Sequence, residues 1–373
     1  MALISAENYH DVYLVTVCIL CFLQSSALSS YSNTEHLLYD TYDTKSKALW
    51  WCAFLILFIG FRPISKYFAD MLNYAVSYEN GYFQYDSDST RREPIWLIIQ
   101  SICYRLKMPT TMWFATITSI VLIMHYQACR KWFGNQVYPA ILFLTTGFYY
   151  WSTLTVIIRS GLASAIVMLA MSIFMNDSKK SKFFALALMG IAMYTHTSSV
   201  LISVCFLASY YFVKDIKWCI YFWIACLGAS LVAGSYFETL LVSLGFDDRM
   251  SLITADTDYV GFSHAGFRWD FLLYSVIPII LGWYIHKRVD TNETYSVLLN
   301  TYILCNAFWV LVIRALFSDR FAGLSWVLYP VVIAYPFLKM EIWEDQPNKA
   351  RWALLVHVGF IVFMSLIYYK FMK

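Results

Sequence analysis

Arg159 stands at the mouth of a long apolar run, Thr155-Val-Ile-Ile-Arg-Ser-Gly-Leu-Ala-Ser-Ala165. A guanidinium cannot shed its proton to escape apolar surroundings, so it must be neutralised or solvated there. Ser160, Gly161, Ala163, Ser164 and Ala165 follow it and are small enough to let another helix approach closely. A helix starting at this point turns unpaired N–H groups outward beside the arginine. Together they make a phosphate site, a bidentate fork next to open donors. The plainer alternative is an interfacial arginine that snorkels to headgroups, with Gly161 and Ala165 serving packing alone.

His196 lies in Tyr194-Thr-His-Thr-Ser-Ser199, a tight turn between two helical patterns. Imidazole titrates near neutrality and can take a proton from a sugar hydroxyl. Equally, Thr195 to Ser199 can cap the next helix while His196 fills the turn. Asp70 belongs to Tyr67-Phe-Ala-Asp-Met-Leu-Asn-Tyr74. A carboxylate among aromatics can bind sugar hydroxyls or act as a base, or it can be a solvated residue of an interfacial helix, and Tyr74 would share in binding. Glu93-Pro94 reads first as a helix start, acid at the N-terminus and proline in the first turn, so capping is expected of Glu93 ahead of substrate contact.

Phe267-Arg-Trp-Asp-Phe271 puts Arg268 two residues from Asp270, as a structural ion pair or as a phosphate ligand held by its acid. Asp319-Arg320-Phe321, with Arg314 one to two turns earlier, repeats the theme. Asp86-x-Asp88 and Asp256-x-Asp258 resemble the metal-binding acid pairs of nucleotide-sugar transferases. The pattern of a soluble nucleotide-binding fold is missing, so no metal or cofactor is expected. No Gly-rich phosphate loop, His-Glu-x-x-His or Gly-x-Ser-x-Gly occurs.

The elements that must hold these residues are membrane spans. Only 14% of the 373 residues are charged and 60% are hydrophobic, against about 25% charged in a soluble domain. The 14 Trp and 29 Tyr suit rings gathered at headgroup level. A formal charge of +3 and the lack of a basic block exclude a nucleic-acid partner. Cys18-x-x-Cys21 falls inside an apolar run, where packing is the expected role rather than redox or metal chemistry. Residues 12–29 lack the basic segment that precedes a signal peptide, so they read as an uncleaved first span.

Apolar runs of bilayer length give about twelve spans: 12–29, 47–62, 110–129, 137–154, 158–175, 182–196, 198–213, 216–235, 269–286, 296–314, 321–338 and 351–370. Residues 94–106 are too few to cross and read as a re-entrant or interfacial helix. Short loops bearing Lys179, Lys180, Lys182, Lys214, Lys217, Lys287 and Arg288 belong on the cytoplasmic side. Both termini and the longer loops, about 63–109 and 236–268, then fall outside. So do Arg62, Arg159, Arg268, Arg314 and Arg320. Neither an internal repeat nor a linker breaks the chain, so residues 1–373 read as one membrane domain.

The chain resembles the EpsG-like family of exopolysaccharide and O-antigen polymerases of the Wzy type. The resemblance rests on the acidic, aromatic stretch around Asp70 and Tyr74, Glu93-Pro94, Ile157-Ile-Arg-Ser-Gly-Leu-Ala163, His196-Thr-Ser198 and Gly266-Phe-Arg-Trp-Asp-Phe271, in that order over about residues 48–330. Ser160 departs from the family, many of whose members carry Gln after the arginine.

What the resemblance implies is a membrane-embedded, C-type glycosyltransferase at the outer face of the bacterial inner membrane. Its partners would be a polyprenyl-diphosphate-linked glycan, membrane lipid and a chain-length regulator. The donor glycan would leave its lipid diphosphate for a hydroxyl of another lipid-linked repeat unit. A diphosphate leaving group needs cations, for which Arg159, Arg268 and Arg320 are candidates. The acceptor hydroxyl needs a base, His196 or Asp70. Rival classes are a lipid-linked oligosaccharide flippase, which would show a twofold repeat, and an O-antigen ligase or membrane O-acyltransferase.

Overall fold

The computed structural model describes residues 4–39, 43–84, 93–176, 178–243, 266–315 and 318–367, and all regular structure among them is helical. The α-helices in chain order are α1 Tyr9–Leu28, α2 Thr34–Tyr39, α3 Lys45–Leu55, α4 Met71–Glu79, α5 Pro94–Arg105 and α6 Thr110–Phe133. Next come α7 Val137–Thr145, α8 Tyr150–Thr155, α9 Ile158–Phe174, α10 Lys179–Thr195, α11 Ser199–Tyr211 and α12 Ile216–Ser243. The last are α13 Trp269–His286, α14 Glu293–Leu311, α15 Ser318–Trp326, α16 Tyr329–Lys339 and α17 Gln346–Ser365.

Among the described residues, six stretches are long and apolar enough to cross a bilayer: Ala6–Leu28, Thr110–Thr145, Ile216–Gly234, Trp269–His286, Glu293–Leu311 and Ser318–Lys339. Ile158–Phe174 and Ser199–Tyr211 are apolar but shorter. The backbone divides the hydropathic runs more finely than composition does. Run 47–62 is the eleven-residue α3 followed by a π-helical turn, Ile56–Gly60. Run 137–154 breaks between α7 and α8, and run 321–338 between α15 and α16, where Pro330 opens the second piece. The twelve residues of α5 reach only about 18 Å, short of an apolar core of about 30 Å.

The chain gathers into two compact units, Met1–Ser199 with Ala334–Lys373, and Val200–Ile333. In the first, α9 packs along α10 and against α6, and α1 along α17. Val15, Ile19, Phe22 and Leu23 of α1 are exposed, as lipid-facing side chains would be. In the second, α12 packs along α14, and a buried polar chain links three helices. There the Trp223 indole donates to Asn306 Oδ1 at 2.8 Å and Asn306 Nδ2 donates to Ser325 Oγ at 3.0 Å. Such groups must be satisfied internally where no water reaches.

Candidate functional site

The hairpin α9–α10 is the frame of the site. Each helix has 17 residues, and a short connection turns the second back along the first, so the start of α9 and the end of α10 come level. Arg159 is the second residue of α9, and His196 is the residue after α10. α5 packs on α10 and brings its first residues to the same end. Glu93, immediately before Pro94, thus meets residues 66 and 103 positions further along the chain.

Two close contacts fix where α9 begins. A Cβ on Gly161 would stand 2.2 Å from the Thr153 carbonyl oxygen, so only glycine lets the chain fold back from α8 into α9 at this distance. Arg62, two residues after the π turn, is 1% exposed and donates to the carbonyls of Ile59 at 2.8 Å and Thr155 at 3.1 Å. Its guanidinium also lies against the Phe68 and Phe114 rings. It is buried because carbonyls left open at two helix ends are good acceptors for a planar cation.

α4 supplies the fourth member. Tyr78 stacks on Trp113 with ring centroids 4.5 Å apart, and its hydroxyl donates to the Met108 carbonyl. Tyr74, one turn earlier, packs edge-on to Trp96. This aromatic seam docks α4 on α5 and α6 and leaves the Tyr74 hydroxyl 3.1 Å from Arg159 Nε, which donates to it.

Glu93 is the pivot. Arg159 Nη1 donates to its Oε2 at 2.7 Å, and its Oε1 lies 2.5 Å from His196 Nδ1. The Glu93 side chain is 10% exposed, against 27% for Arg159 and 28% for His196. Burial pushes its pKa up, but the hydrogen bond and charge of His196, with the charge and hydrogen bond of Arg159, outweigh burial and hold it below the ordinary carboxylate value. The carboxylate is therefore ionised at neutral pH and can only accept, so Nδ1 is the donor. The capping expected of Glu93 does not occur. The residue precedes α5 yet makes no side-chain bond to that helix's backbone. Both oxygens go to charge-assisted partners, which are stronger than a neutral amide.

The open atoms of this cluster are chemically useful. Among the described residues, Arg159 Nη2 and His196 Nε2 carry no partner, and both side chains are partly accessible. One is a cationic donor beside a helix start, the other a ring nitrogen with a lone pair when the imidazole is neutral. Asp70 stands one turn before Tyr74, which bonds to it through the backbone at 3.1 Å, and it is not among the partners of Arg159 or His196.

The second unit holds the remaining candidates. Arg268 grips Asp270 through two bonds, Nε to Oδ1 at 3.1 Å and Nη2 to Oδ2 at 2.8 Å, and lies 3.6 Å above the Phe271 ring. The Arg314 carbonyl accepts from Gly266 N–H, while its guanidinium sits over the Phe267 ring and, among the described residues, on no carboxylate. Asp319 feels the charges of both Arg320 and Arg268. Asp86, Asp88, Asp256 and Asp258 lie outside the described residues. Among those described, no three His, Cys, Asp or Glu side chains gather closely enough to hold a metal ion.

The EpsG family matches this chain over residues 47–372, and the chain belongs to that family. The match spans both units and every residue of the two clusters. No curated protein and no solved structure matches it.

Proposed function

We propose that this member of the EpsG family polymerises surface polysaccharide, joining oligosaccharide repeat units carried on polyprenyl diphosphate. In this reading it is a C-type glycosyltransferase with about twelve spans. Residues 94–106 lie at the interface, and the clusters open to the outer face of the inner membrane. What supports the reading is one observation above all: a guanidinium, an imidazole and a buried carboxylate converge at the ends of α5, α9 and α10.

Those groups match the two demands of the reaction. The bond from the donor's anomeric carbon to the phosphate oxygen breaks, and the lipid diphosphate leaves with the electron pair. The open edge of Arg159 neutralises charge as it develops there. A hydroxyl oxygen of the acceptor repeat unit bonds to the anomeric carbon, and its proton passes to His196. Tyr74 holds Arg159 at the angle that presents this edge. Arg268, steadied by Asp270, together with Arg314 and Arg320, binds phosphate of a lipid-linked substrate in the second unit. Asp70 is the alternative base.

A gel profile of surface polysaccharide tests the reading. A strain lacking the gene should lose long chains and still display single repeat units, and complementation with Arg159→Ala at normal protein level should leave that profile unchanged. If single units also vanish from the surface, transport or ligation is the function and polymerisation is not.

A further inference from the structure

We propose that Glu93 is a positioning residue that fixes the proton of His196 on Nδ1 and so keeps Nε2 as the proton-accepting atom. The inference rests on the polymerase reading for its consequence, but on geometry for its substance. The Glu93 carboxylate is 10% exposed and its Oε1 faces Nδ1 at 2.5 Å, so the ring's buried side is committed to a donor. An imidazole in water favours the opposite tautomer, with the proton on Nε2. A histidine left to itself would therefore offer an acceptor hydroxyl the wrong nitrogen. A carboxylate behind Nδ1 corrects this and stabilises the imidazolium that forms when the proton arrives.

The same carboxylate also holds Arg159, but the two arms depend on it unequally. Arg159 keeps the Tyr74 hydroxyl and its full charge if Glu93 is removed. Among the described residues, the His196 ring has Glu93 as its sole polar partner. Loss of the carboxylate should therefore fall on proton transfer first and on phosphate binding second.

The decisive measurement is the nitrogen-15 spectrum of histidine-labelled full-length protein in lipid nanodiscs, with His196 assigned by comparison with His196→Ala. When the ring is neutral, wild-type His196 should carry its proton on Nδ1, and Glu93→Leu should move the balance toward Nε2. A wild-type ring protonated on Nε2, or a spectrum unmoved by Glu93→Leu, overturns the proposal. Should Glu93→Leu fail to fold, the wild-type spectrum still decides.

Chain extension on purified lipid-linked repeat units supplies the second readout. Glu93→Leu should lower kcat by about 10²-fold or more with KM nearly unchanged. In the His196→Ala background the same change should cost less than about threefold further, since the two act as one unit. A further fall of about tenfold or more in that background places its effect on Arg159 or on folding, and the positioning role is lost. If wild-type protein extends no chains at all, the polymerase reading fails while the spectrum still answers for Glu93.

Discussion

The charge clusters of the two units are built on different plans. In the first unit one buried carboxylate sits between a guanidinium and an imidazole, so Arg159 is neutralised before any ligand arrives and its geometry is fixed by two partners. In the second, among the described residues, three arginines accompany two aspartates, and Arg314 rests on an aromatic ring rather than an acid. The first arrangement has little net charge and sharp geometry, which suits proton transfer and local stabilisation of a leaving group. The second, over the described residues, has a cationic surplus, which suits holding an anion. Position matters more than charge in one, and charge more than position in the other.

His196→Ala should show the sharpest consequence of that difference, lowering chain extension by about 10²–10⁴-fold at unchanged protein level, as measured by product ladders from purified protein. A smaller loss than that of Arg314→Ala would reverse the assignment of roles. Arg159→Lys comes next, with an expected fall of about 10–100-fold. A point ammonium cannot face the Tyr74 oxygen, Glu93 and a phosphate at once. Full activity in that variant would remove the bidentate role.

Arg314→Ala should raise KM for lipid-linked substrate about tenfold, or about 1.4 kcal/mol, and leave kcat near its original value, because it removes binding shared by ground and transition states. A fall in kcat instead would give the second unit a part in the chemistry. The smallest effect is on stability. The ionisation of Glu93 is favoured in the folded protein, so its contribution is complete above the unfolded value of about 4.3 and is lost as pH falls through the lower folded value. The gap in thermal midpoint between wild type and Glu93→Gln should be full at about pH 6 and shrink below about pH 4. A gap that widens toward acid would mean burial outweighs the two partners.

The members of the first cluster were legible singly and their meeting was not. Arg159 and His196 announce themselves, since a cation and an imidazole at the ends of apolar runs demand an explanation, and the matched lengths of α9 and α10 bring both to one end of the hairpin. Glu93 did not. Its local context, an acid before Pro94, fits a helix cap, and the partners that outcompete the cap are 66 and 103 residues away. An acid opening an apolar helix with no basic residue in its first turns was the available signal. The burial of Arg62 was hidden for a related reason, since hydropathy reads it as the end of a run and cannot see the carbonyls of Ile59 and Thr155 that accept from it. The breaks between α7 and α8 and between α15 and α16 were equally hidden, because buried polar backbone bonded within the protein leaves the apolar composition unchanged.

The most direct test uses purified protein in nanodiscs with polyprenyl-diphosphate-linked repeat units as the sole substrate, wild type beside Arg159→Ala and His196→Ala. Wild type should give a ladder of lengthened lipid-linked glycans and each variant a yield lower by about 10²-fold or more, with all three equally folded. A ladder of undiminished yield from either variant, or none from active-folded wild type, would contradict this.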